Sequence, residues 1–225
     1  MTIHIRPHRL FNLIRTVNFY RRMMKVVLPE QDSPVLLETA LLVALSKLVR
    51  PRAFFEFGTY LGVQTLNLAA NLPRSCRVYT LDLDAVSRHT VAQDPADAVL
   101  TARHFAREDQ IAFLGTPYAE QIVRLYGDSK TFDFSEFQAS VDMIYIDGGH
   151  DRETLESDSR HAFRMLSRDR FSCVAWHDYG NPTYPQVTDF LDRLSGTHRL
   201  YHVEASWLCF YLAGAPDRLL AALDG

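Results

Sequence analysis

A doubly wound α/β fold, its mostly parallel sheet closed by an antiparallel hairpin, is what the sequence predicts, on three observations. Short apolar runs alternate with helical patterns through most of the chain. Those runs end in acids, glycines or histidines, as strands do when their carboxyl ends face a ligand crevice. Two final runs, RLYHVEA and WLCFYLAG, follow one another with no helix between them, which reads as a hairpin. Five parallel strands plus that hairpin give a seven-stranded sheet, with an added N-terminal helix before it.

The first strand and its turn are AFFEFGTYLGVQT, residues 53–65. Glu56 stands at the strand's carboxyl end. Gly58 lets the chain turn with φ > 0, and Gly62 lets the backbone and the next helix approach a bound ligand closely. A carboxylate here suits a ligand carrying a cation or hydroxyls, whereas a pyrophosphate would be repelled.

Ahead of this strand, residues 8–28 place Leu10, Ile14, Val17 and Met24 at helical spacing, and the first acid of the chain is Glu30. Residues 1–33 therefore read as a basic amphipathic helix and connector, serving as a packing or subunit interface or as a lid. A membrane-surface contact ranks behind both. Ser33 and Pro34 start a second helix, VLLETALLVALSKLV, which Pro51 stops. With Glu38 and Lys47 inside it, this helix is too short to span a bilayer and should cover one sheet face. Residues 34–225 form the main domain.

Beyond the turn, LNLAANL continues a helix, and RVYTLDL is a second strand ending in Asp82. That acid lies near the roughly 20-residue offset at which a carboxylate meets a ribose hydroxyl in such units. Residues 85–119 are polar and weakly periodic, a loop with a helical piece rather than core. QIVRLYGDS is the third strand, with Asp128 and Ser129 at its end. VDMIYIDGGH is the fourth, running into Asp147 and His150, and FSCVAWHDYG is the fifth, ending in His177, Asp178 and Tyr179. A helix over Pro185 to Leu194 precedes the hairpin. These polar strand ends should converge on one crevice.

Bulk properties bound the function. A chain of 225 residues, 47% of them hydrophobic, buries one core. A net charge of −3 offers no basic field for nucleic acid. Cys76, Cys173 and Cys209 are odd in number and form no C-x-x-C pair, so reduced thiols and a cytoplasmic location are expected. The N-terminus lacks a signal-peptide core.

The motifs EFGTYLGVQT, LDL, GDS, IDGGH and WHDY, in this order, resemble those of class I S-adenosylmethionine-dependent methyltransferases, specifically the bacterial small-molecule O-methyltransferase-like group. The resemblance runs from about residue 53 to 212. It implies a Rossmann-like sheet and S-adenosylmethionine as cofactor. By that resemblance Glu56 and Gly58 hold the methionine portion, with Thr59, Tyr60, Gly62 and Thr65 in the same motif. Asp82 takes the ribose hydroxyls, Asp128 and Ser129 meet the adenine, and Asp147 lies beneath the methyl-transfer site.

Related enzymes that use Mg²⁺ place a carboxylate after the fourth strand and an acidic pair or Asp-Asn after the fifth. Here the fifth ends in His177-Asp178. Asp147, His150, His177 and Asp178 would suit Mn²⁺, Fe²⁺ or Zn²⁺ better than Mg²⁺. The alternative needs no metal: His150 or His177 removes the acceptor proton, oriented by Asp147 or Asp178. LSRDRF, 166–171, replaces the group's Pro-Gly-Gly turn on the far edge of the sheet. The expected activity is O-methylation of a small-molecule acceptor, a natural product or sugar-like compound, with no nucleic-acid partner, no stable membrane insertion and a homo-oligomer through the N-terminal helix as one assembly. A non-methylating enzyme on the same fold and a non-catalytic assembly subunit are the alternatives.

Overall fold

The computed structural model describes residues 1–16, 36–91 and 93–224. Its centre is an 8-stranded sheet in the order β1-β7-β8-β6-β5-β2-β3-β4. The strands are β1 (Ile3–Ile5), β2 (Ala53–Phe57), β3 (Arg77–Asp82), β4 (Ile122–Tyr126), β5 (Met143–Ile146), β6 (Ser172–Trp176), β7 (Leu200–Val203) and β8 (Cys209–Ala213). Every pairing is parallel except those of β8 with β6 and β7. The seven expected strands are all present, and the eighth, β1, is too short to leave a period in the sequence. It pairs with β7 through Ile3, His4 and Ile5.

Alternation along the central strands explains both layers. In β2, Phe54 points into one core and Phe55 and Phe57 into the other. The first core takes α2 (Leu36–Val49), α3 (Val63–Asn71) and part of α1 (Pro7–Thr16) and α8 (Asp217–Asp224). The second takes α6 (Arg152–Met165) and α7 (Pro185–Leu194). Pro185 opens α7 at its first turn, and Asp151 caps α6 by accepting from Thr154 N at 3.0 Å.

The described part of the N-terminal segment belongs to this domain. Leu10 and Leu13 are buried in the first core, and α1 packs on α2 and α8. That packing gives no support to an oligomer contact through the helix. Val17, Met24, Ser33 and Pro34 lie outside the described residues.

Residues 85–119 are more ordered than their polarity implied. They carry α4 (Ser87–Thr90) and the twelve-residue α5 (Pro95–Ala106), and Ile111 and Phe113 are buried. The expectation of a loop outside the core fails because their few apolar residues pack against the turn after β2 rather than along a helix face.

From β2 the chain winds outward to β3 and β4, then crosses back to β5 and β6. The reversal lies between β2 and β5. A crevice opens at such a switch point, and the residues that end these two strands are Gly58 and Asp147.

Candidate active site

Gly58 and Asp147 touch through backbone. Asp147 N donates to Phe57 O at 2.9 Å, and a Cβ on Gly58, whose φ is +91°, would sit 2.1 Å from Asp147 O. Gly62, at φ +71°, would collide with Ile111 and Phe113 side chains at 2.6 and 2.7 Å. Both glycines are therefore demanded by neighbouring protein.

Two adjoining cavities open here, of about 360 and about 250 Å³. Gly58, Tyr60, Asp147, His177 and Trp207 line both. The larger reaches Asp82, Asp128 and Ser129 at one end and His150 and Asp178 at the other. Glu56, Thr59, Gly62 and Glu38 line the smaller. Every candidate site residue except Thr65 thus reaches one crevice. Thr65 is fully buried and donates its hydroxyl to Glu56 instead.

Two of the cofactor-side acids also brace the turns around them. Asp82 Oδ2 accepts from Thr59 N at 2.9 Å and Tyr60 N at 2.8 Å, and Oδ1 from Leu83 N at 2.8 Å. A carboxylate has about four acceptor positions, so one remains for a ligand hydroxyl. Asp128 Oδ1 accepts from Lys130 N at 2.9 Å. Glu56 is buried, and Thr80 donates to it at 2.6 Å, backed by Thr59 at 2.7 Å from Thr80. Burial pushes the Glu56 carboxyl up to about 8, against the opposing pull of the Thr65 and Thr80 hydroxyls.

The other end is a chain of alternating carboxylates and imidazoles. Asp97 Oδ1 lies 2.7 Å from His150 Nδ1, and His150 Nε2 lies 2.8 Å from Asp178 Oδ2. The same Asp178 oxygen is 2.8 Å from His177 Nδ1, and His177 Nε2 is 2.9 Å from Glu38 Oε2. Tyr184 stacks on the His150 ring at 3.7 Å. Burial alone would lower the His150 pKa, but the bonds to Asp178 and Asp97 outweigh it and lift it to about 10. Burial likewise opposes the His177 charge, yet Asp147, Asp178 and Glu38 hold that imidazolium well above its ordinary pKa. Asp178 is held well below the carboxylate range: burial would raise it, and the two imidazoles prevail.

Both ring nitrogens of each histidine face carboxylate oxygens in this arrangement. Asp147 differs from its neighbours. Its side chain is 30% exposed against 4% for Asp178 and 3% for Glu38, and it lies 3.3 Å from His177 Nδ1 and from Tyr145 Oη.

For a metal, Asp147, His150 and Asp178 are the one group among the described residues whose ligand atoms all approach within 4.8 Å of one another. His177, expected in that set, is outside it.

Sequence reasoning missed Glu38, Asp97, Tyr184 and Trp207. A lone acid in the apolar run of α2 was the available signal for Glu38. Trp207 N donates to that carboxylate, while its carbonyl accepts from Tyr179 N at 3.0 Å. Asp97 gave none, because a polar segment hides one buried acid among exposed ones. Three non-glycine residues with positive φ, Tyr60 (46°), Asp178 (64°) and Ala205 (60°), stand at or beside the site, where backbone strain tends to collect.

Residues 55–179 match the family model of a methyltransferase domain. Solved structures align over most of the chain. An S-adenosylhomocysteine complex of the O-methyltransferase from Bacillus cereus is 14% identical, covering 92% of this chain and 88% of that one, with TM-score 0.52. The S-adenosylhomocysteine-bound Podospora anserina methyltransferase PaMTH1 is 11% identical, covering 95% and 91%, with TM-score 0.54. CalS11, a calicheamicin methyltransferase, is 17% identical, covering 93% and 91%, with TM-score 0.54. No curated protein matches by sequence. A family match over more than half the chain, on a sheet whose switch point carries this crevice, places the protein in the methyltransferase-domain family, with the class I, Rossmann-like fold.

Proposed function

We propose that the protein transfers the methyl group of S-adenosylmethionine to a hydroxyl oxygen of a small-molecule acceptor, a natural product or sugar-like compound. The observation that carries this reading is the half-buried Asp147 carboxylate on the wall shared by both cavities. The cofactor's adenosine fits the larger cavity, with Asp82 for the ribose and Asp128 and Ser129 for the base. Its methionine portion fits the smaller, beside Glu56. The sulfonium then stands at the shared wall beside the Asp147 carboxylate, which favours a cation.

Methyl transfer is an in-line displacement at carbon. The acceptor oxygen attacks the methyl, the sulfonium leaves with its electron pair as S-adenosylhomocysteine, and the acceptor's proton must depart. Asp147 is placed to accept that proton. His177, protonated and 3.3 Å away, holds the carboxylate in place, and Asp178 holds both imidazoliums. In the alternative route, His150 would give up its Nε2 proton and, with Asp147 and Asp178, would hold a divalent ion with mixed nitrogen and oxygen donors, Mn²⁺, Fe²⁺ or Zn²⁺ rather than Mg²⁺. Bound there, the ion would lower the pKa of an acceptor hydroxyl.

Calorimetry with S-adenosylmethionine and S-adenosylhomocysteine tests the cofactor, and transfer of a labelled methyl to a hydroxylated compound tests the reaction. No binding of either ligand would overturn the reading. Chelation followed by add-back of each metal tests the ion: turnover unchanged after chelation excludes it. The three thiols are unpaired and buried, and burial lifts Cys76 to about 12, which suits a reducing cytoplasm.

A further inference from the structure

Helix α5 forms one wall of the larger cavity through Asp97, Leu100, Thr101 and His104. The opposite wall is the β5–α6 loop with Asp147, Gly148, Gly149 and His150. Most helices here are held by an apolar face; α5 is not. Its only buried residues are Asp97 and His104, both polar; Ala96 rests against the second core, and among the described residues no helix or strand packs extensively on it. Leu100 faces the cavity and Val99 is 60% exposed.

Each buried residue is a tether. His104 Nδ1 is 2.6 Å from Tyr60 O, and Arg103 donates to Tyr60 Oη at 3.2 Å, so the carboxyl half of α5 hangs on the strained turn after Gly58. Asp97 takes two bonds from His150 across the cavity, from His150 N at 2.8 Å and His150 Nδ1 at 2.7 Å, and the hydroxyl of Tyr184, whose ring stacks on His150, also hydrogen-bonds to it. A wall with few buried apolar contacts, held at discrete polar points, opens at low free-energy cost.

We propose that Asp97 is a positioning residue that clasps α5 to His150 across the cofactor cavity, so that closing the wall over the cofactor and setting the His150 ring are one event. The proposal rests on the cofactor reading above. His150 gives Asp97 two bonds, and the Tyr184 ring that also bonds Asp97 stacks on His150, so parting Asp97 from this pair frees the wall and the ring together. With Nδ1 fixed by Asp97, Nε2 is left facing Asp178, which is the same ring setting that the acceptor side needs.

The test is the rate at which bound S-adenosylhomocysteine leaves, by stopped-flow displacement, in the wild type, Asp97→Asn, Asp97→Ala, His150→Ala and the double Ala variant, with calorimetry for affinity. The expected result is release about 10-fold or more faster in Asp97→Ala, a smaller change in Asp97→Asn, and a double variant no faster than the faster single one, since either change opens the same clasp. Binding should quicken as well, so affinity falls less than the release rate rises. A merely structural Asp97 would weaken affinity and stability without that split. Release within twofold of wild type in both Asp97 variants, or effects that multiply in the double, would overturn the clasp alone. Failure of the unaltered protein to bind S-adenosylhomocysteine would overturn the cofactor reading and the clasp with it.

Discussion

The two ends of the crevice are built on different physics. The cofactor end is local and backbone-made: β2, the glycine turn and α3 follow one another in sequence, and Asp82 ties that turn from the adjacent strand. The acceptor end is assembled from α2, α5 and the ends of β5 and β6, joined by charged side chains. Damage to the first should disturb shape, and damage to the second should disturb charge balance and turnover.

Gly58→Ala should have the largest effect. The added Cβ meets the Asp147 carbonyl at 2.1 Å, which no side-chain adjustment relieves. A loss of at least about 3 kcal/mol and of all S-adenosylhomocysteine binding is expected, from thermal melts and calorimetry. Near-native binding would refute the backbone account of this end.

Asp178→Ala comes next. It strips two buried imidazoliums of a shared partner, a change that typically costs about 3–5 kcal/mol. Turnover should fall ~100-fold or more while S-adenosylhomocysteine affinity stays within a few-fold. An equal loss of affinity would mean that the two ends are not separable.

Asp82→Ala should show the reverse split. S-adenosylhomocysteine affinity is expected to fall roughly 10–100-fold, a carboxylate-to-hydroxyl bond and the bracing of the turn being lost together. Turnover at saturating cofactor should change less. If it collapses instead, Asp82 serves the reaction and not only binding.

Glu56→Gln probes a gentler term of the cofactor end through pH. The native carboxyl keeps its proton up to about 8, whereas the unfolded one loses it near 4.5. Between those values the native state binds more protons, so this group makes stability fall as pH rises across that window. In Glu56→Gln that part of the slope should vanish in urea titrations from pH 5 to 8. An unchanged slope would place the proton elsewhere.

The smallest effect is expected at Gly115, whose φ is +69° but whose Cβ position has nothing within 4 Å. Ala there should cost about 1–2 kcal/mol, the price of the left-handed backbone alone. The gap between Gly58 and Gly115 measures how much of the cofactor end is steric.

Strand ends, the glycine turn, the hairpin and the order of the motifs were legible because each is a local pattern: a short apolar run, a residue that tolerates positive φ, an acid at a fixed offset. These determined the α/β class, the crevice and the residues along its rim. Glu38 and Asp97 were not legible as partners, since nothing in a sequence says which distant carboxylate will meet which imidazole. The protonation of His150 and His177 depended on those partners. Only the tertiary structure could therefore bear on which of these groups is free to accept a proton, because a pKa is set by burial and neighbouring charge and not by residue type. Nor could the sequence show that a Cβ on Gly62 would meet the side chains of Ile111 and Phe113. Local periodicity specified the frame, and long-range electrostatics and packing decided what each group in it can do.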